Sequence, residues 1–295
     1  MTLRIGRIPY INCYPVYGAI DRGLIRIDAD LVDGVPTALN ARMAAGDLDV
    51  SVVSAVEYAR DSRRYLLLPD LAISCDGPVR SVMLFSRRPA TELSARKVLV
   101  SRSSMTSVAL LELLFENVWK AHPRFLPTDA EISDVARFAI EDHDARLVIG
   151  DAALLLETRS RSKAAARGPT LVPGTDEAIG DYPFAYDLGE VWKQWTGLPF
   201  VFAVWVARRD VPVGAALEAH ASLIKSRDWG IANVSELARQ AAEATGVPLS
   251  ACEEYLAGLD YGLSYPHLAG LTEFYRRLVE RGRVPNGTLS FLPAA

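Results

Sequence analysis

The stretch Asp76-Gly-Pro-Val-Arg-Ser-Val-Met-Leu-Phe-Ser86 decides how this chain is organised. Its apolar run reads as a buried strand over residues 79–86 that leaves the first part of the chain, and a second run at 200–207 reads as a strand that returns to it. Outward from this pair, short apolar runs alternate with longer segments of helical period, the mark of an α/β protein with largely parallel sheets. Further strands are expected at 3–8, 29–32, 49–53, 97–100 and 145–149. A helix over 37–45 should stop at Gly46, which suits a left-handed C-cap, and another over 106–120 carries an apolar stripe through Val108, Leu111 and Phe115. After residue 211 the pattern turns helical as far as Arg281, as a cap on one lobe would. The expected organisation is two lobes, one of residues 1–86 and 200–295 with the helical cap, the other of residues 87–199.

Composition narrows the class. A chain of 295 residues suits two domains of about 100–200 residues each. Half of it is hydrophobic and 23% is charged, as in ordinary globular proteins. With a net charge of −4 and no long basic run interleaved with aromatics, nucleic acid is not the expected partner, and a small molecule is. The basic segment at 159–168 reads as an exposed loop or helix end, with anion docking as the alternative. The start of the chain enters a strand pattern without the signature of a signal peptide, and no stretch approaches the ~20 apolar residues that span a bilayer. Cys13, Cys75 and Cys252 have no CxxC spacing, so neither a disulfide framework nor a zinc site is indicated, and a reducing cytoplasm is the expected compartment.

Five strand ends carry groups suited to a ligand. In Ile8-Pro-Tyr-Ile-Asn-Cys-Tyr-Pro-Val-Tyr17, Asn12 offers a donor and an acceptor at the mouth of a cleft, or bonds its own turn. Ser54 and Glu57 have the S-x-x-E spacing of a capping box, which serves a helix start with or without a ligand beside it. Ser103, Ser104, Thr106 and Ser107 crowd the turn between a strand and a helix whose first amides lack internal partners, the best anion-site candidate in the chain. Gly150 permits close backbone approach, and Asp151 is either an N-cap or a polar contact in the cleft. Ser81 lies on the cleft floor if its strand crosses between lobes. His122, His143, His220 and His267 stand outside these motifs without metal spacing. There is no G-x-S-x-G elbow, Walker loop or G-x-G-x-x-G fingerprint, so hydrolase and nucleotide-cofactor chemistry falls away.

Read in order, RIPYINCYP at 7–15, GDLDVSVVSAVEY at 46–58, CDGPVRSVMLFS at 75–86, SSMTSVALLELL at 103–114, LVIGDAALL at 147–155 and YDLGEVWKQWTGLPFVFAVWVARRD at 186–210 resemble the chorismate dehydratases of the futalosine route to menaquinone. The arrangement of departing and returning strands resembles the type II periplasmic-binding-protein fold, in which two crossings act as hinges and the ligand sits between the lobes. The resemblance implies loss of water from chorismate, giving 3-[(1-carboxyvinyl)oxy]benzoate without cofactor or metal. It implies catalytic parts for Asn12 and Ser81. Substrate binding would fall to Ser54, Ser103, Ser104, Thr106, Ser107, Gly150 and Asp151, although Ser54 and Asp151 equally serve as caps. No obvious general base stands among these residues, so the substrate's enolpyruvyl carboxylate is the expected base, with Asp151 its competitor. A sister enzyme, 1,4-dihydroxy-6-naphthoate synthase, would be expected to bring a cleft histidine. A non-enzymatic carboxylate-binding protein would bring a signal peptide or a DNA-binding segment. The oligomeric state is not written in the sequence.

Overall fold

The computed structural model describes residues 2–128, 142–166 and 182–293. In the first lobe Leu3–Arg7 (β1) pairs in parallel with Ala29–Asp33 (β2) on one side and Val50–Ser54 (β3) on the other. Phe200–Arg208 (β10) runs antiparallel between β3 and the edge strand Tyr65–Cys75 (β4). The second sheet repeats the plan. Lys97–Ser101 (β6) is parallel to both Arg124–Thr128 (β7) and Ala145–Ile149 (β8), while Val82–Ser86 (β5) runs antiparallel between β8 and Phe184–Asp187 (β9). The orders are β2-β1-β3-β10-β4 and β7-β6-β8-β5-β9. Each sheet thus takes its antiparallel strand from a segment of chain that has just crossed from the other.

Helices follow the strands. They are Tyr14–Asp21 (α1), Pro36–Ala45 (α2), Ala55–Arg60 (α3), Met105–Leu114 (α4), Gly150–Ala166 (α5) and Leu188–Thr196 (α6). A C-terminal arm adds Val213–Ala232 (α7), Val234–Thr245 (α8), Leu249–Gly258 (α9) and Tyr265–Glu280 (α10). Helix α2 ends at Gly46 with φ +85°, the left-handed cap its glycine makes cheap. Every residue of β3 is buried, which is why a strand covered on both faces shows a continuous apolar run and no alternation. The basic segment at 159–168 continues α5 up to Ala166, and its last two residues lie outside the described residues.

One expected strand is shorter than its pattern, one boundary moves, and the strands β4, β7 and β9 are not among those expected. The strand expected from residue 79 begins at Val82, because Asp187 takes the backbone N–H groups of Val79 (3.0 Å) and Arg80 (2.5 Å) and Arg80 sits at φ +62°, outside extended geometry. Residues 82–86 belong to the second sheet, so the chain leaves the first sheet at Cys75 and not after Ser86. The strand that actually departs, β4, escaped the pattern. Its residues 68–71 bow out of the ladder around Pro69 and Asp70, the latter at φ +51°, and Arg227 of α7 holds the bow through the Asp70 carboxylate at 3.0 Å.

The aromatic-rich segment at 186–210 fastens both crossings. Besides holding Val79 and Arg80, Asp187 caps α6 through the N–H groups of Gly189 and Glu190 (2.9 and 3.1 Å). Trp192 donates from Nε1 to the Pro199 carbonyl (3.1 Å), and its ring meets Phe200 and Phe274 edge-on, docking α10 against the start of β10.

Candidate active site

A cavity of about 70 Å³ lies where the carboxyl ends of the parallel strands of both lobes converge. Asn12 and Ser54 reach it from the first lobe, Ser104, Thr106, Ser107 and Gly150 from the second, and Ser81 from the crossing between them. Tyr10, Phe202 and other apolar side chains complete the wall, and none of the described residues lining it carries a cationic side chain.

Each hydroxyl on the wall accepts from a protein donor. For Ser54, Ser81, Thr106 and Ser107 no described acceptor takes the hydroxyl proton, which is left for the cavity, whereas Ser104 gives its proton to Ser107. Ser54 Oγ accepts from the Glu57 N–H (3.2 Å) and from Asn40 Nδ2 (3.0 Å), while Asn40 Oδ1 takes the Ser54 N–H in return (3.1 Å). The expected capping box is therefore half formed. The Glu57 carboxylate accepts from the Tyr65 hydroxyl (3.3 Å), because Asn40 has already satisfied the amide that Glu57 would have reached. Thr106 Oγ1 accepts from the Val56 N–H at 3.2 Å, joining the first turns of α3 and α4 across the cleft. Ser107 Oγ accepts from Ser104 Oγ (2.7 Å), and Ser104 Oγ caps α4 by accepting the Ser107 N–H (3.3 Å). Ser81 Oγ accepts from the Tyr255 hydroxyl at 2.8 Å.

Asn12 is arranged differently. It sits in the single turn Ile11–Cys13 after β1, and its Oδ1 is shielded from solvent without a hydrogen-bond partner among the described residues. Leaving such an acceptor unpaired costs roughly 1–3 kcal/mol, and Asn12 lines the cavity, where this oxygen is available to accept from a ligand.

Two expected binding residues stand off the wall. Ser103 is buried and its hydroxyl pairs with Ser101 Oγ at 2.6 Å, which braces the turn before α4. Asp151 is not the N-cap of α5 but its second residue, and its half-buried carboxylate accepts the Ile11 N–H of the opposite lobe at 3.2 Å. Desolvation pushes that carboxyl up to about 6, against which the single Ile11 bond pulls down. It thus lies behind the Asn12 turn and steadies it. Gly150, at φ +68°, donates its N–H to the Ser81 carbonyl (2.8 Å) and presents its flat face to the Tyr10 ring, which a Cβ would approach to 3.4 Å. Sequence reasoning missed Tyr10, Asn40 and Tyr255. Tyr10 lay inside a quoted motif, whereas Asn40 and Tyr255 lie on helices of ordinary composition and become visible only through the groups they touch.

The histidines have other work. His220 bonds the Pro69 carbonyl (2.8 Å), and His267 completes the cap of α10 with Ser264 while facing Asp260 at 3.1 Å.

Comparisons with known proteins bear on the family and the fold. A family model described as menaquinone biosynthesis matches residues 3–280. A chorismate dehydratase of Thermus thermophilus is 32% identical over 277 residues, covering 92% of this chain and 95% of the relative. Among solved structures, a protein of Archaeoglobus fulgidus superposes with a TM-score of 0.73 at 19% identity, covering 96% of this chain and 98% of that one. The alkanesulfonate-binding protein of Xanthomonas axonopodis pv. citri, bound to MOPS, gives a TM-score of 0.63 at 13% identity over 96% and 94% of the two chains. These structural likenesses establish the fold as periplasmic-binding-protein-like. The length and identity of the sequence matches establish that the chain belongs to the menaquinone-biosynthesis family.

Proposed function

We propose that the protein is a chorismate dehydratase that converts chorismate to 3-[(1-carboxyvinyl)oxy]benzoate and water, and that the interlobe cavity is where it does so. The observation that carries this reading is the set of polar groups in the cavity wall: hydroxyl groups from both lobes line it at the start of α4 and across from it, with no cationic side chain among the described lining residues. A dicarboxylate matches such a surface, because each buried anion needs several donors and is not obliged to use arginine.

The elimination follows from the substrate's own electronics. Removing the C3 proton sends an electron pair through the adjacent double bond toward the ring carboxylate, and donors at that carboxylate stabilise the charge as it develops. Expulsion of the C4 hydroxyl then aromatises the ring. The C3 proton and the C4 hydroxide together make the water released, so atoms and electrons balance without an oxidant or reductant. The C3 proton goes first to the enolpyruvyl carboxylate, within the substrate. Asn12 holds this group with its amide NH₂ or accepts from the departing hydroxyl with its unpaired Oδ1, and Ser81 donates to the same region from the cleft floor. Ser104, Thr106 and Ser107 hold the ring carboxylate at the start of α4. Asp151 supports the Asn12 turn.

Closure of the lobes about the crossing at 76–81 excludes water and fixes the geometry, in which Thr106–Val56 and Asp151–Ile11 act as cross-lobe fasteners. Three buried free cysteines suit a reducing, cytoplasmic setting. The test is to incubate purified protein with chorismate in EDTA and follow the carboxyvinyloxybenzoate. Formation of product is expected. No conversion, or conversion abolished by the chelator and restored by zinc, would overturn the reading.

A further inference from the structure

The C-terminal arm reaches the cleft through one hydroxyl. Helix α9 lies against the crossing segment and touches two consecutive residues of it, Arg80 through the Glu254 carboxylate (3.1 Å) and the Ala251 carbonyl (3.4 Å), and Ser81 through Tyr255. We propose that Tyr255 is a positioning residue for the dehydration, acting through Ser81 by aiming the serine hydroxyl proton into the cleft. This rests on the part given to Ser81 in the proposed function.

The geometry leaves Ser81 little freedom. Its N–H donates to the Val79 carbonyl (2.7 Å), its carbonyl accepts from Gly150 (2.8 Å), and its Oγ accepts from Tyr255 at 2.8 Å, while no described acceptor takes its own proton. A serine hydroxyl has one proton and two lone pairs. With Tyr255 donating along one lone pair, the proton must point away from the phenol, and the open side of Ser81 is the cavity wall. Tyr255 is itself fully enclosed, at 2% exposure, and burial pushes its phenol far up, so it remains a donor throughout the physiological range. Without it, the Ser81 hydroxyl is free to rotate, and substrate must supply the ordering that the fold now provides. The Arg80 contacts anchor α9 to the crossing independently, and Arg80 also pairs with Glu157 of α5 at 2.9 Å, so loss of the phenolic oxygen alone leaves the docking intact.

Three variants test the proposal: Tyr255→Phe, Ser81→Ala and the pair together, each assayed for chorismate turnover and thermal melting. Tyr255→Phe should keep its melting behaviour and KM while kcat falls roughly three- to tenfold, the worth of one aimed hydrogen bond. Ser81→Ala should fall further, and the double variant should match Ser81→Ala, since a residue that works through Ser81 has nothing left to aim. Multiplicative losses in the double variant, or parent-like kcat in Tyr255→Phe beside an impaired Ser81→Ala, would overturn the inference and leave the function standing. A parent-like Ser81→Ala would overturn the part given to Ser81 and the inference with it. If Tyr255→Phe does not fold, 3-fluorotyrosine at position 255 keeps the shape and makes the phenol a stronger donor. It should change kcat in the parent and not in Ser81→Ala, and an equal response in both would sink the proposal.

Discussion

The two walls of the cleft are built by different means. In the second lobe Ser104, Thr106 and Ser107 come from one turn, where the bonds between Ser104 and Ser107 are also the cap of α4 and Thr106 accepts from the Val56 N–H of the first lobe. Across from them the polar groups come from different elements, and two are set by residues of other elements: Ser54 by Asn40 of α2, and Ser81, on the crossing, by Tyr255 of α9. Asn12 has no such partner among the described residues. One wall comes from a single turn, fastened to the first lobe through Thr106, and the other is assembled by tertiary structure around an unpaired amide oxygen. We read the first as the wall that binds and the second as the wall on which the chemistry depends, and variants on the two should separate affinity from turnover.

The largest effect is expected at Asn12. Replacing it with Ala removes the unpaired oxygen, so kcat should fall by about 10²–10³, the scale seen when a preorganised polar group at developing charge is lost. Because that oxygen contributes nothing to the resting fold, the melting temperature should hold or rise. A parent-like kcat would erase the distinction between the walls.

Asp151 comes next and is read in stability. Its carboxyl titrates at about 6 against an ordinary 3.8, so the folded state binds the proton more tightly than the unfolded chain, and stability falls as pH rises from about 4 to 6. Above that range the ionised carboxylate costs up to about 3 kcal/mol. Asp151→Asn keeps an acceptor for Ile11 and removes this cost, so it should raise the melting temperature at pH 8 and change little at pH 4. A variant less stable than the parent at pH 8 would mean that the charge is better paired than its surroundings indicate.

On the binding wall, Thr106→Ala or Ser107→Ala should weaken chorismate binding by calorimetry about ten- to a hundredfold, equivalent to roughly 1.5–3 kcal/mol for a hydrogen bond to an anion. Unchanged affinity in both would move the anion site elsewhere. The smallest effect belongs to the outer face of the arm, where Arg276 pairs with Glu273 and Glu280 of its own helix while half exposed. Arg276→Gln should shift stability by no more than about 0.5 kcal/mol and leave kcat unchanged. A loss of turnover there would mean that the arm touches the chemistry through more than Tyr255.

The same contrast explains what could be read beforehand. The central strands β3, β6 and β8 announce themselves as apolar runs and β1 as an alternating strand pattern, and the pairing of Ser104 with Ser107 is visible because the two are neighbours in sequence. Strand β4 was hidden by its bow at Pro69 and Asp70, and β7 and β9 are short edge strands without a full apolar run. Ser103 looked like part of the anion site because spacing says nothing about which way a hydroxyl turns, and here it turns to Ser101. Tyr255 carried no local signal at all. Its only mark is a contact with a residue far away in the chain.

The central claim is that the cleft supplies aimed donors and the substrate supplies the base. Single-turnover dehydration at saturating chorismate by Asn12→Asp and Asp151→Asn tests it most directly. Asn12→Asp sets a negative charge against a dianion and should lose most of the chemical step while staying folded, whereas Asp151→Asn should be the milder lesion. If Asp151→Asn is dead and Asn12→Asp nearly normal, the proton goes to Asp151 and substrate-assisted catalysis is wrong for this enzyme.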